Sequence, residues 1–215
     1  MRKIVITTTK ERNVPAEELY ALRKEAFAQW KEKGLSTTAV DASVASFALY
    51  LKDKTVFVVH DAETDELLAT RTLTLYPKKG RAAESNLSVA PKAKRQGIGT
   101  RLLEAEVEWL RKAGYRYTTC TTATTAVWSV RWHLKNGYRI VGYLRSEWNN
   151  YASYMFRKQF AYDLRHHPTD ILWLPCVAPV TARLTYAATY LATHLCKTRT
   201  GKLNTLGRLA KHLRR

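Results

Sequence analysis

The sequence predicts a mixed α/β domain over residues 1–160, followed by a basic helical extension over residues 161–215. Short runs rich in β-branched and aromatic residues alternate with stretches whose apolar residues recur every three or four positions. The composition changes after Phe160, because Asp163 and Asp170 are the only acidic residues that follow it. An apolar share of 46% is typical of a globular protein and excludes a disordered chain.

The first half of the predicted domain combines two helices with a β-hairpin. Asn13 is a favourable N-cap and Pro15 suits a first helical turn, so a helix is predicted from there to Gly34. A turn-like segment at 61–65 separates two runs with strand composition, which predicts the hairpin. The other predicted elements are strands at 4–8, 54–60 and 67–76 and a helix at 42–51.

In the second half, strands alternate with helices. Together with the hairpin, this alternation predicts a mixed α/β sheet. Amphipathic spacing predicts the helices, and β-branched or aromatic runs predict the strands. The predicted strands are 84–90, 115–121, 138–144 and 152–160, and the predicted helices are 97–113 and 127–135.

The charge of the chain indicates an anionic partner. Its 36 Lys and Arg residues against 18 Asp and Glu give a formal net charge of +18. This favours nucleic acid, an anionic membrane or a phosphorylated cofactor, and it disfavours a strongly basic protein substrate.

The cysteines and the apolar runs give two further expectations. The three cysteines, Cys120, Cys176 and Cys196, lie far apart, so we expect reduced thiols in the cytoplasm and no metal site. No apolar run approaches the length of about 18 residues that a spanning helix needs.

The segment from Leu87 to Leu103 carries the clearest chemical signal. A predicted strand ends at Pro91, a basic loop follows, and Gly97-Ile98-Gly99 opens an amphipathic helix. Amide groups at a helix N-terminus lack partners, and the helix dipole adds about half a positive charge there. Glycines also let the backbone approach a phosphate closely. The segment therefore predicts an anion-binding site.

Two kinds of ligand-binding loop share these features. A dinucleotide-binding loop needs a third glycine, where this chain has Leu102. The stretch instead resembles motif A of the GNAT superfamily of N-acyltransferases, in which V-x-P and a basic loop precede [QR]-x-x-G-x-[GA] and an aliphatic pair. Lys94 stands at the Gln/Arg position, where it keeps the charge but lacks the planar fork of arginine.

A second segment resembles motif B of the same family, commonly written A-x-x-F-Y-E-K-x-G-F. Trp132 takes the aromatic position, Lys135 the basic position, and Gly137-Tyr138 the Gly-Phe pair. A purely local interpretation stays open, in which Gly137 ends the helix and Tyr138 starts the next strand. The resemblance extends over residues 4–160.

The resemblance implies a mostly antiparallel, twisted sheet flanked by helices. It also implies acyl transfer from acyl-CoA, with acetyl-CoA as the expected donor, to a primary amine of a small-molecule or envelope-precursor acceptor. The CoA pyrophosphate would lie on the amides that open the helix, and the pantetheine would pair with the preceding strand. The implied cofactor-binding residues are Leu87, Ser88, Val89, Lys94, Arg95, Gln96, Gly97, Ile98, Gly99, Thr100 and Ser129.

Three residues are candidates for the catalytic acid and base. His133 stands where many family members have a tyrosine, and it is either a proton donor or a surface histidine. Tyr138 is a second candidate acid. Glu84 is the only acidic residue on the strand before motif A, with a water chain as the alternative base. Glu84 lies five residues before Val89, whereas family members often place the acid six before. Strict alternation therefore puts Glu84 on the face of the strand opposite to Val89.

The extension carries an apolar stripe from Trp173 to Leu195, with its regular part beginning near Pro179, and a shorter basic amphipathic stretch from Leu203 to Leu213. We expect the stripe to pack on the sheet, or on another copy in a homodimer. In the alternative it lies on an anionic membrane at its inner face, where a longer acyl donor would suit it. A non-catalytic scaffold that binds nucleic acid is a further class, although no nucleic-acid-binding motif occurs.

Overall fold

The computed structural model describes residues 2–36, 42–145 and 150–195, and it has the mixed α/β fold that the sequence predicts. The chain divides into two compact units, Met1–Thr118 and Thr119–Arg215. Every element predicted inside the described ranges is present, and most bounds agree within about two residues. The proposed boundary between a domain at 1–160 and an extension at 161–215 stays a prediction.

The first unit contains an antiparallel sheet with the strand order β1-β2-β3-β4. A tight turn with Gly80 in the left-handed region (φ 55°) joins β3 to β4. Because this turn is short, β4 begins three residues earlier than predicted. The strands are β1 (Ile4–Thr8), β2 (Thr55–Asp61), β3 (Leu67–Tyr76) and β4 (Arg81–Val89), and the helices are α1 (Ala16–Glu32), α2 (Val44–Leu51) and α3 (Ile98–Lys112).

Helices lie on both faces of this sheet. Every residue of β2 is buried, which is typical of a strand covered on both sides. Consecutive residues of β4 show which helix covers which face, because side chains alternate along a strand. Glu84 lies on the face covered by α3, and the next residue, Ser85, hydrogen-bonds Tyr50 of α2 at 2.7 Å between their hydroxyl oxygens.

The second unit begins within β5 (Tyr117–Ala123) and has the strand order β5-β7-β6, which places β6 at an edge. Strands β6 and β7 form an antiparallel pair. Gly137 follows α4 in the left-handed region (φ 80°), which confirms the predicted helix end. The remaining elements are α4 (Val127–Lys135), β6 (Arg139–Arg145), β7 (Ala152–Gln159), a 3₁₀ helix at Pro168–Trp173 and α5 (Ala178–Leu195).

Helix α5 packs closely along β6. The backbone amide of Tyr143 donates a hydrogen bond of 2.9 Å to Oγ1 of Thr189, and a Cβ at Gly142 would lie 3.0 Å from the same oxygen. Ala178 and Ala182 pack with Trp173 in a small buried cluster. Small residues on this side therefore allow the helix to approach the strand.

Three aliphatic residues of the predicted apolar stripe do not make this contact. Val180, Leu184 and Leu191 are exposed, so the expectation that they pack on the sheet is wrong. The close approach at Gly142 admits only small side chains, and the larger residues therefore point elsewhere. No helix in the described ranges is long and apolar enough to cross a membrane. Cys196 and the amphipathic stretch predicted at 203–213 lie outside the described residues.

Candidate functional site

The loop between β4 and α3 has a well-defined backbone. It starts with a 3₁₀ turn at Pro91–Ala93, and the side-chain amide of Gln96 then donates a hydrogen bond of 2.8 Å to the carbonyl of Lys92. Arg95 (φ 63°) and Gly97 (φ 76°) both lie in the left-handed region. These two residues turn the chain so that α3 can start directly behind the loop.

The N-terminus of α3 is open to a ligand. Gly97 occupies the N-cap position, and no side chain caps this end of the helix. The amides of Thr100 and Arg101 donate to the carbonyl of Gly97 at 3.0 Å, so the amides of Ile98 and Gly99 lie ahead of the first helical hydrogen bonds. A Cβ at Gly97 would meet nothing within 4 Å. An anion can therefore approach the helix end and accept hydrogen bonds from the backbone.

Basic side chains surround this helix end. Lys92, Lys94 and Arg95 are all exposed. Lys92 forms an exposed ion pair with Glu66, whereas no ion pair within the described ranges involves Lys94 or Arg95. Their charges and the helix dipole favour a negatively charged ligand.

Strand β4 contains a β-bulge just before this loop. Val89 and Ser88 pair with Ala69 and Thr70, but the next pair joins Ser85 to Thr72, so β4 has one residue more than β3. Asn86, within the bulge, adopts a left-handed conformation (φ 51°). An extra residue reverses the alternation of side chains along the strand.

The bulge corrects the predicted orientation of Glu84. Glu84 lies opposite Leu73 and Val89 lies opposite Ala69, and these two β3 residues are four apart and share a face. Glu84 and Val89 therefore also share a face. The expectation from strict alternation is wrong because it assumes a regular strand.

Glu84 belongs to a buried cluster of three charged side chains. Its carboxylate pairs with the guanidinium of Arg71 on β3, and Nε of Arg71 lies 3.2 Å from Oε2 of Glu106 on α3. The side chains of Arg71, Glu84 and Glu106 are 2%, 1% and 0% exposed. Burial raises the pKa of Glu106 well above its usual value, Arg71 partly opposes this, and the neighbouring Glu84 raises that pKa further.

These surroundings do not support Glu84 as the catalytic base. A base must come within hydrogen-bond reach of the proton that it removes, and this carboxylate is instead held against Arg71 beneath α3. Neither Arg71 nor Glu106 was predicted from the sequence as a partner of Glu84. Glu106 could have been noticed, because it interrupts the apolar face of the helix between Leu103 and Leu110.

In the second unit, α4 and β7 enclose the ring of His133. The ring lies 4.7 Å from that of Phe156 in a stacked arrangement and 5.0 Å from that of Tyr138 in an edge contact. Nδ1 lies 2.7 Å from the carbonyl oxygen of Ser129, and a carbonyl can only accept, so Nδ1 carries a proton. His133 is buried, which excludes the predicted alternative of a surface histidine.

Ser129 and Tyr138 surround the same ring. The Ser129 hydroxyl accepts a hydrogen bond of 3.0 Å from Thr122, while its carbonyl holds His133. Tyr138 is buried, and Nζ of Lys158 lies 5.7 Å from its ring centre. The structure thus brings together all three predicted residues of the second unit. In the described part of the chain, no group of three or more His, Cys, Asp or Glu residues could hold a metal ion.

Comparisons with known proteins find related folds among solved structures. Among solved structures, the ribosomal-protein-S18-alanine N-acetyltransferase of Escherichia coli is 15% identical with a TM-score of 0.59, covering 75% of this chain and 96% of that one. A GNAT family acetyltransferase from Elizabethkingia anophelis with acetyl-CoA bound is 17% identical with a TM-score of 0.54, covering 73% and 98%. The search of curated proteins found no match.

At these identities the solved structures show the shared fold alone. The sequence itself also matches the family model described as "Acetyltransferase (GNAT) family" over residues 16–138, which include both motifs. This match spans more than half of the 215 residues. The chain belongs to the GNAT family of acetyltransferases.

Proposed function

We propose that this protein is an N-acyltransferase that uses acetyl-CoA and acetylates a primary amine of a small-molecule or envelope-precursor acceptor. The observation that supports this best is the open N-terminus of α3, with Gly97 as its N-cap and Lys94 and Arg95 beside it. A pyrophosphate fits such a site, because it carries negative charge and only accepts hydrogen bonds from the amides.

Two backbone segments would hold the cofactor. The amides from Arg95 to Thr100 would bind the pyrophosphate, and backbone groups of Leu87, Ser88 and Val89 would pair with the pantetheine. When bound, acetyl-CoA supplies a thioester as the acyl donor. The β-bulge at Asn86 supports this assignment, since it interrupts the regular pairing of β4 just before those three residues.

We assign the acid role to His133. Because Nδ1 donates to the carbonyl of Ser129, the ring has a fixed orientation and a fixed tautomer when neutral. A proton at Nε2 would then be the one passed to the departing thiolate. Tyr138 contacts the ring edge and would position it. Removal of the amine proton is assigned to water, since Arg71 engages Glu84.

We place the reaction in the cytoplasm, as the few and widely spaced cysteines of the sequence lead us to expect.

Calorimetric titration of acetyl-CoA and free CoA into the nucleic-acid-free protein tests the proposal. Gly97→Trp should abolish binding, because its side chain would occupy the space in front of the helix. Gly114→Trp is the matched control: it lies just beyond the other end of α3, also has a left-handed backbone (φ 80°) and also has open space around it. Micromolar binding by the wild type and by Gly114→Trp, together with no binding by Gly97→Trp, would support the site.

Two results would contradict the proposal. Absence of binding to either ligand would exclude a CoA-dependent reaction, and unchanged binding by Gly97→Trp would place the ligand elsewhere. If binding is established, thiol release measured with amino acids, amino sugars and lipid amines identifies the acceptor class. The same assay with longer acyl-CoAs determines the acyl chain length.

A further inference from the structure

Helix α5 has two faces of different character. One face packs on β6 through small or polar residues, with Ala182 buried and Thr189 bonded to the backbone of Tyr143. This face attaches the helix to the sheet without using its larger aliphatic side chains. Those side chains are therefore available for another contact.

The opposite face is apolar and exposed. Val180, Leu184 and Leu191 are 59%, 66% and 51% exposed. They are four and seven residues apart, so they form one line along the helix. Ile171 and Leu172, shortly before the helix, are exposed as well. We call Val180, Leu184 and Leu191 the outer stripe. Exposed apolar residues that form a continuous line, unlike scattered ones, indicate an interaction surface.

In the sequence that contains and follows the outer stripe, the charged residues are all cationic. No Asp or Glu occurs from residue 171 to residue 215. Arg183 lies within α5 and is exposed. The sequence that follows the helix carries seven cationic residues, namely Lys197, Arg199, Lys202, Arg208, Lys211, Arg214 and Arg215.

This distribution distinguishes between two occupants of the outer stripe. A second copy of the chain would bring another acid-free, cationic segment against the first, and like charges repel. An anionic lipid surface would instead attract the cations while its interfacial region accepted the aliphatic side chains. We propose that the outer stripe and the cationic sequence after it dock the protein on an anionic phospholipid surface. The proposal is independent of the acyltransferase assignment.

Co-sedimentation with vesicles tests this docking surface. The full chain, treated with nuclease, is mixed with vesicles of phosphatidylcholine alone or with vesicles that also contain phosphatidylglycerol. We expect binding only to the anionic vesicles, and weaker binding at high salt. Leu184→Glu and Leu191→Glu should each weaken that binding about tenfold or more, because each removes a leucine from the lipid interface.

Leu49→Glu is the matched control. Leu49 lies on α2 in the first unit and is 73% exposed, so this variant adds the same charge at an equally exposed leucine. It should bind anionic vesicles nearly as the wild type does. All three variants should retain the wild-type melting temperature, because the substituted leucines are exposed.

Three results would overturn the proposal. The first is no sedimentation of the wild type with anionic vesicles, and the second is equal binding by the wild type and both α5 variants. The third is a dimer in light scattering that Leu184→Glu dissociates and Leu49→Glu does not, which would assign the outer stripe to a second copy.

Discussion

The carboxylates of Glu84 and Glu106 bind the same guanidinium, that of Arg71, one from a strand and the other from a helix. Two buried carboxylates and one cation carry an excess negative charge if both acids are ionised. Burial penalises that charge, so the pKa of Glu106 is raised and its protonated form is favoured. The cluster joins β3, β4 and α3, and α3 carries the proposed pyrophosphate site at its N-terminus.

The raised pKa of Glu106 predicts how stability depends on pH. The folded protein keeps a proton that the unfolded chain releases near the ordinary glutamate pKa of 4.5. This contribution to the free energy of unfolding is therefore complete below that pKa and is lost as the pH rises through the folded value. Glu106→Gln mimics the protonated acid. We therefore expect its free energy of unfolding not to fall in this way as the pH rises.

Urea unfolding of the wild type and of Glu106→Gln between acidic and mildly alkaline pH measures the difference. The stability of the variant relative to the wild type should increase with pH. Glu108→Gln is the control, since Glu108 lies on the same helix, is exposed and pairs only with Lys112 among the described residues. A constant difference between Glu106→Gln and the wild type at every pH would contradict the prediction.

Removal of the shared cation should be far more damaging than removal of either acid. Arg71→Met leaves two buried carboxylates without their counter-charge, and we expect it to lower the free energy of unfolding by about 3–5 kcal/mol. Arg12→Met is the matched control, because Arg12 pairs with Asp65 at the surface and should contribute less than about 1 kcal/mol. Denaturant melts give both values. Similar losses for the two variants would show that the buried cluster contributes no more to stability than the exposed ion pair does.

The sequence predicted the loop at the N-terminus of α3 well, because proline and glycine act directly on the local backbone. Pro91 ends the strand and Gly97 adopts the left-handed conformation that precedes the helix. No partner from a distant element is needed for either effect. Local chemistry of this kind is visible in a single sequence.

Features that depend on a partner element were not predicted. The bulge at Asn86 exists only in the register between β4 and β3, so counting along β4 alone gave Glu84 the wrong face. The burial of Glu106 likewise depends on Arg71, which lies 35 residues earlier (106 − 71) on another strand. The orientation of α5 depends on Gly142, where only small side chains can approach. In each case tertiary packing decides an outcome that periodicity leaves open.

Gly142 allows the close approach of α5 to β6, and a single methyl group should disturb it. In Gly142→Ala the new Cβ would lie 3.0 Å from both Oγ1 of Thr189 and the sulfur of Met155. We expect a loss of about 1–3 kcal/mol in the free energy of unfolding, since overpacking forces neighbouring atoms apart. The second variant is Gly142→Ala combined with Thr189→Ala, which relieves one of the two contacts.

A double-mutant cycle over these two positions measures the coupling. Because the two residues touch, the double variant should be more stable than the sum of the single losses predicts. Additive losses would show that the helix does not depend on the close approach at Gly142.

His133 can be tested for catalysis separately from packing. His133→Phe keeps an aromatic ring to stack on Phe156 but removes both ring nitrogens. If the histidine protonates the leaving thiolate, kcat with an identified acceptor amine should fall about 100-fold or more, while acetyl-CoA binding measured by calorimetry should change little. Leu134→Phe, at the exposed next position on α4, is the control and should retain kcat.

The pH profile decides between the two roles of His133. A proton donor leaves a pH-dependent limb in the kcat profile, and His133→Phe should abolish that limb and leave the others unchanged. A residue that only packs would instead lower thermal stability, or shift KM, with the shape of the kcat profile preserved. A His133→Phe enzyme with wild-type kcat would remove the acid assignment, and the phenol of Tyr138 would be the next group to test by Tyr138→Phe, because its ring already contacts that of His133.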